Sequence, residues 1–157
     1  MKSALGLRLA TRGLIKQDDK LLFVSHDGEH WTLPGGRPES GETLKDCLER
    51  EVYEETGLSV QTQDLSYVLE CFDERDSLYK LLFYFSVTVL DGVLSDSWRD
   101  IGNHVRYRQY FSRTEIQKNP HILPRFLAGS VDPKQTYQGF VTMRGFEMVE
   151  PKTELFV

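Results

Sequence analysis

Cysteine is scarce in this chain. Cys47 and Cys71 are the only two in 157 residues, too few for a disulfide framework, which fits a reducing, cytoplasmic setting. Long apolar runs are missing, so no stretch approaches a membrane span. The opening MKSALGLRLATRG lacks a long apolar core and carries Arg8 and Arg12, so it does not read as a convincing signal peptide. The four histidines, His26, His30, His104 and His121, have no zinc-ligand spacing and read as structural or exposed. Positive charge is not in excess either. The net charge of −5 argues against nucleic acid or membrane as partners, and any phosphate ligand then needs a cation or local Lys and Arg. With no internal repeat or linker, residues 1–157 read as a single domain.

What is present concentrates in Gly36 to Leu58, GRPESGETLKDCLEREVYEETGL. Ser40-Gly41-Glu42 reads as a helix start with Ser40 as N-cap, and Glu42 suits the positive helix end. From Thr43 to Thr56 there is no Pro or Gly, and Gly57 supplies the left-handed stop. Leu44, Cys47 and Leu48 recur at helical spacing and predict a core face, with Cys47 as a small buried hydrophobe. The same stripe then runs into Glu51 and Glu55, with Glu54 beside them. Like charges three or four residues apart cost about 0.2–0.5 kcal/mol each. Arg50 offsets part of this by pairing with Glu54 at i,i+4. A solvated acidic helix end is the ordinary explanation of such a run; a hard divalent cation held by oxygen ligands is the other.

The spacing decides between them. Gly36, five residues, Glu42, seven residues, then Arg50-Glu51-Val52-Tyr53-Glu54-Glu55-Thr56-Gly57-Leu58 fills every specified position of the Nudix box, G-x5-E-x7-R-E-U-x-E-E-x-G-U with U a bulky aliphatic residue. The chain therefore resembles the Nudix hydrolases. The resemblance implies an α/β/α sandwich with a mixed, partly antiparallel sheet. It implies a pyrophosphohydrolase that uses Mg²⁺ or Mn²⁺ and a small-molecule nucleotide substrate, a nucleoside diphosphate linked to a further group. The alternatives are a nucleoside triphosphate pyrophosphatase and a catalytically silent nucleotide sensor. By resemblance the metal ligands are Glu51, Glu54, Glu55 and the carbonyl of Gly35. Arg50 orients a glutamate, and Glu51 is the base in part of the family. Other members take the base from a distant loop, where this chain offers Asp96 and Asp100. Glu42 matches the first box glutamate, with helix-end stabilisation its simpler role. Gly35-Gly36 allow close backbone approach, or simply a tight turn. Asp73 stands about fifteen residues past the box, where ADP-ribose-specific relatives often carry proline.

Around the box, alternation predicts strands. Leu7, Leu9 and Thr11 make one, and Leu21-Leu22-Phe23-Val24 a second that completes an opening hairpin across Gln17-Asp18-Asp19-Lys20. Trp31-Thr32-Leu33 is a short extended piece. Ser59 to Phe72 and Leu81 to Val89 are paired strands, joined by the charged turn Asp73-Glu74-Arg75-Asp76. A polar loop follows over Val93 to Asn103, then an extended piece from His104 to Phe111. Ser112-Arg113-Thr114-Glu115 is a capping-box match opening a short helix, and His121 to Leu127 reads as another. Phe140 to Val149 reads as a strand or a partner arm, and a homodimer is left open. Arg8, Arg12 and Arg37 are candidate phosphate ligands and Trp31, Tyr107 and Tyr110 candidate base platforms, with surface and core as their ordinary places.

Overall fold

The computed structural model describes residues 6–149. The elements in chain order are β1 (Gly6–Leu14), β2 (Lys16–Gln17), β3 (Lys20–Ser25), β4 (Trp31–Thr32), β5 (Gly35–Gly36), α1 (Leu44–Thr56), β6 (Ser59–Asp73) and β7 (Leu78–Asp91). They continue with β8 (Tyr107–Ser112), α2 (Arg113–Lys118), β9 (Ile122–Leu123), a 3-10 turn at Arg125–Ala128, β10 (Tyr137–Arg144) and β11 (Glu147–Val149). One sheet has the order β11-β10-β6-β7-β1-β5. It is mixed: β6 and β7 are antiparallel while β1 runs parallel to β7 and β10 parallel to β6. In the second sheet β3 pairs β8 along one edge and β2 and β4 along the other, with β9 beside β4.

The expected mixed α/β architecture is present, with a twofold division of the core. Between the sheets lie Phe23, Trp31, Leu33, Leu69, Cys71, Tyr84 and Phe111. A second cluster joins Leu48 and Val52 of α1 to Ile15, Leu22, Leu58, Val60 and Phe85. The core face of α1 is thus Cys47, Leu48 and Val52, all fully buried, and it continues into buried Glu55. Among the described residues no helix is long and apolar enough to cross a membrane.

Several local expectations need correction. The N-cap of α1 is Thr43, not Ser40. The Thr43 hydroxyl accepts from the Asp46 N–H, and the Asp46 carboxylate accepts from the Thr43 N–H, a capping box. Glu42 therefore stands outside the helix. The opening hairpin is β2–β3, because β1 leaves for the other sheet and lies between β7 and β5. Leu7 and Leu9 are consequently exposed and Ala10 and Thr11 buried. The helix expected over His121 to Leu127 is instead β9 followed by the 3-10 turn. Pro124 lacks the N–H that a helix would need and disfavours helical backbone at Leu123. Ser112 caps α2 as expected, with both capping-box bonds made. Phe140 to Val149 falls within β10 and β11, the strand alternative.

Leu48 has no exposure and touches both sheets. Leu48→Ala should lower stability by about 2–5 kcal/mol, read as a lower denaturant midpoint with an unchanged slope.

Candidate active site

Arg50 is the hub of the acidic face. Its Nε donates to Glu42 Oε2 at 2.7 Å and its Nη2 to Glu42 Oε1 at 2.9 Å, a two-pronged pair. Nη1 donates to Glu51 Oε1 at 2.9 Å and to Glu54 Oε2 at 3.3 Å. Glu42 also takes the Glu39 N–H at 2.7 Å. The Arg50 bond, with that N–H, pulls the Glu42 carboxyl down to about 2. One guanidinium thus holds three of the four box glutamates.

The fourth, Glu55, turns inward. It is 7% exposed, and its Oε1 accepts the Gly35 N–H at 2.9 Å, tying the last turn of α1 to β5. Gly35 has φ of +150°, and a Cβ there would lie 2.0 Å from the Thr11 carbonyl oxygen, so no other residue fits. At Gly36 a Cβ would lie 2.5 Å from Glu51 Cδ; the absent side chain is what lets Glu51 lie against the strand. The Thr11 hydroxyl donates to the Gly36 carbonyl at 3.2 Å. Burial pushes the Glu55 carboxyl up to about 8, against the lowering influence of Arg12 and the Gly35 N–H. Burial also raises Glu51, with Arg50 opposing.

The helix end that carries these groups is clamped from outside the box. The last carbonyls of a helix lack partners within it. Here the Trp98 indole N–H donates to the Glu54 carbonyl at 2.9 Å, and Arg108 Nε donates to the Glu55 carbonyl. Arg108 also places a cation at the negative helix end.

Above the glutamates opens a cleft of about 640 Å³. Its lining combines a glutamate floor, Glu51, Glu54 and Glu55 beside Gly35 and Gly36, with the cations Arg8, Arg12, Arg37 and Lys80. Arg8 pairs with Lys80 in the β1–β7 register, which brings two cations side by side. Lys80 is drawn aside by Asp73 at 2.8 Å.

The family model for the NUDIX domain matches residues 6–128. The chain belongs to this family. An ADP-ribose pyrophosphatase from Methanocaldococcus jannaschii is 27% identical over 114 residues, 70% of this chain and 64% of that protein. Diphosphoinositol polyphosphate phosphohydrolase 2 of Rattus norvegicus is 33% identical over 98 residues, 61% of this chain and 51% of that protein. The chain thus spans between half and two-thirds of the length of these curated relatives. Among solved structures, a MutT protein from Bacillus halodurans superimposes with a TM-score of 0.69 over 91% of this chain and 95% of that one, at 18% identity, a likeness of fold.

Within this NUDIX domain the structure brings Glu51, Glu54, Glu55, Gly35, Gly36, Arg37, Arg50 and Asp100 to one cleft. Glu42 stands behind Arg50, and Asp96 is not among the lining residues. Asp100 takes the N–H groups of Gly102, His104 and Val105 and so shapes its own loop. Trp31 packs edge-on against Phe111 in the core, and Tyr107 lies over Gly28, so neither lines the cleft. Sequence reasoning missed Lys80, His104, Trp98 and Arg108. Trp98 had a signal: a tryptophan in a polar loop needs an apolar seat and a partner for its N–H.

The donor set fits a hard cation: several carboxylates, one of them buried, beside a glycine backbone. Among the described residues, Asp27, Glu29 and His30 are the three-residue group whose ligand atoms all lie within 4.8 Å of one another. There the Asp27 carboxylate is already filled by the N–H groups of Glu29 and His30 and by the His30 ring, a loop clasp. The box glutamates have the stronger claim because one of them, Glu55, is buried with the Gly35 N–H rather than a guanidinium as its hydrogen-bond donor.

Glu55 yields a pH prediction. Its folded value lies above the ordinary 4.5, so without metal the fold binds more protons here than the unfolded chain does. The group's contribution to stability is full below pH 4.5 and is lost as pH rises through about 8. In chelator, Glu55→Gln should therefore raise the melting temperature more at pH 8 than at pH 5. A gain independent of pH would contradict this.

Proposed function

We propose that this chain is a divalent-metal-dependent pyrophosphohydrolase acting on a nucleoside diphosphate linked to a second group. The observation that carries the reading is one cleft lined both by the box glutamates and by Arg8, Arg12, Arg37 and Lys80. Carboxylates that take cations beside guanidinium and ammonium groups that take anions suit a metal-bound diphosphate. The names of the relatives, pyrophosphatase and phosphohydrolase, are in keeping with it.

Glu51, Glu54, Glu55 and the Gly35 carbonyl would hold Mg²⁺ or Mn²⁺. When bound, the ion screens the charge of the diphosphate and acidifies water. The chain's own residues do the remainder. Arg50 holds Glu42, Glu51 and Glu54 in place. Glu51, part of the floor and half-buried, takes the proton of the attacking water. The water oxygen bonds to phosphorus, the anhydride P–O bond breaks, and the products are a nucleoside monophosphate and the phosphorylated second group. Arg8 and Arg12 orient the phosphates. The same cations favour a second reading, a nucleoside triphosphate pyrophosphatase, since a third phosphate adds negative charge that Arg8, Arg12, Arg37 and Lys80 would meet.

Incubation with Mg²⁺ and a panel of nucleotide-sugars, dinucleotides and triphosphates, with product analysis, tests the proposal. Turnover of a diphosphate-linked substrate, abolished by chelator, is expected; full activity in excess chelator would defeat it. Glu51→Gln should lower kcat about 10²–10⁴-fold with little change in substrate affinity. The competing base is Asp100, and Asp100→Asn keeps an oxygen for the loop N–H groups. A normal kcat for Glu51→Gln beside a collapse for Asp100→Asn would transfer the role to the loop.

A further inference from the structure

Among the described residues no Phe, Tyr or Trp lines the phosphate cleft; its apolar residues are Ala10, Leu82 and Pro38. The described cleft residues therefore include no aromatic platform for a base. A second cavity of about 340 Å³ shares Glu55 and His104 with it and lies against the end of β3, the turn that follows, β4 and Val105. Apolar surface comes from Val24, Trp31, Val105, Leu123 and Phe146. Ser25, His26, Asp27, His30, Thr32 and His104 add polar groups. The volume is near the lower end of small-molecule pockets, and an apolar wall with a few polar groups is their usual character.

Phe146 is the unusual member. It sits on the turn between β10 and β11, past residue 128, where the matched family domain ends. Though 58% exposed, it is held in place. Its ring stacks on His30 at 4.2 Å, His30 stacks on His121 at 4.8 Å, and the Arg75 guanidinium lies 5.8 Å from the Phe146 centroid. An exposed phenylalanine fixed at the mouth of an apolar cavity is a wall awaiting a planar ligand.

We propose that this cavity is the subsite for the nucleobase of the substrate, with the β10–β11 turn and Phe146 as its outer wall. The inference rests on the reading of the cleft as a diphosphate site. The cleft and the cavity adjoin at Glu55 and His104, so a base joined to phosphates in the cleft lies against this cavity. The C-terminal hairpin then acts as a specificity element carried by this chain beyond the family domain.

Calorimetry with adenosine, guanosine, cytidine and uridine 5′-monophosphates and with ribose 5-phosphate, in Mg²⁺, tests it without turnover. At least one nucleotide should bind about tenfold tighter than ribose 5-phosphate. Phe146→Ala should remove most of that preference. Thr32→Trp, which fills the cavity, should remove it too, and melting curves confirm that each variant is folded. Equal affinities in the wild type, or a preference that survives both cavity variants, would overturn the proposal. A base preference without hydrolysis of any diphosphate substrate would support the subsite and defeat the catalytic reading. Hydrolysis without a base preference would do the reverse.

Discussion

The hydrogen bond from the Gly35 N–H to the Glu55 carboxylate joins the two parts of the structure on which everything else at the site depends. It spans the end of α1 and the two-residue strand β5, and it forms in a space so tight that neither glycine of β5 could carry a side chain unshifted. Because it is buried, its acceptor is poorly solvated. A carboxylate in that position keeps its charge only if something nearby compensates it. Arg12 contributes in part, and the Arg50 guanidinium is already committed to Glu42, Glu51 and Glu54. In the metal-free fold a proton satisfies Glu55; in the working protein a divalent cation would.

At Glu51 and Glu55 this arrangement does not serve stability. Burial raises both carboxyls in spite of Arg50 and Arg12, whereas the Arg50–Glu42 pair favours the charged form. What it achieves is position. The helix is capped at its start by Thr43 and Asp46 and clamped at its end by Trp98 and Arg108, while Leu48 and Val52 wedge it against both sheets. Every contact that fixes α1 also fixes where its glutamates point. Arg8 and Arg12 come from β1, which leaves the opening hairpin to lie parallel to β7. That single crossover brings Arg8 and Arg12 into one cleft with the glutamates.

The floor of the site was legible in the residues because it is local: glutamates at helical spacing, a stop at Gly57, glycines before the helix. The long alternating strands were legible for the same reason, and β6 pairs β7 as their pattern requires. What failed depended on competition or on distance. Ser40 lost the N-cap to Thr43 because Asp46, three residues on, completes a capping box that Ser40 cannot. The helix expected near His121 yielded to Pro124. The partner of β1 could not be read because a hairpin and a crossover share one alternation. Trp98, Arg108, Lys80 and His104 reach the site through pairings far apart in the chain, and Phe146 lies in a segment whose sequence pattern was weak.

The central claim is that a cation takes the place of a proton on the buried carboxylate floor. Metal binding in the absence of substrate, followed at pH 7 by calorimetry in buffers of different ionisation enthalpy, tests it most directly. The account predicts net proton release as Mg²⁺ or Mn²⁺ binds, since burial holds Glu55 protonated up to about 8, and predicts that Glu55→Gln eliminates the release and weakens binding. Metal binding with no proton release, or with the same release in Glu55→Gln, would contradict it.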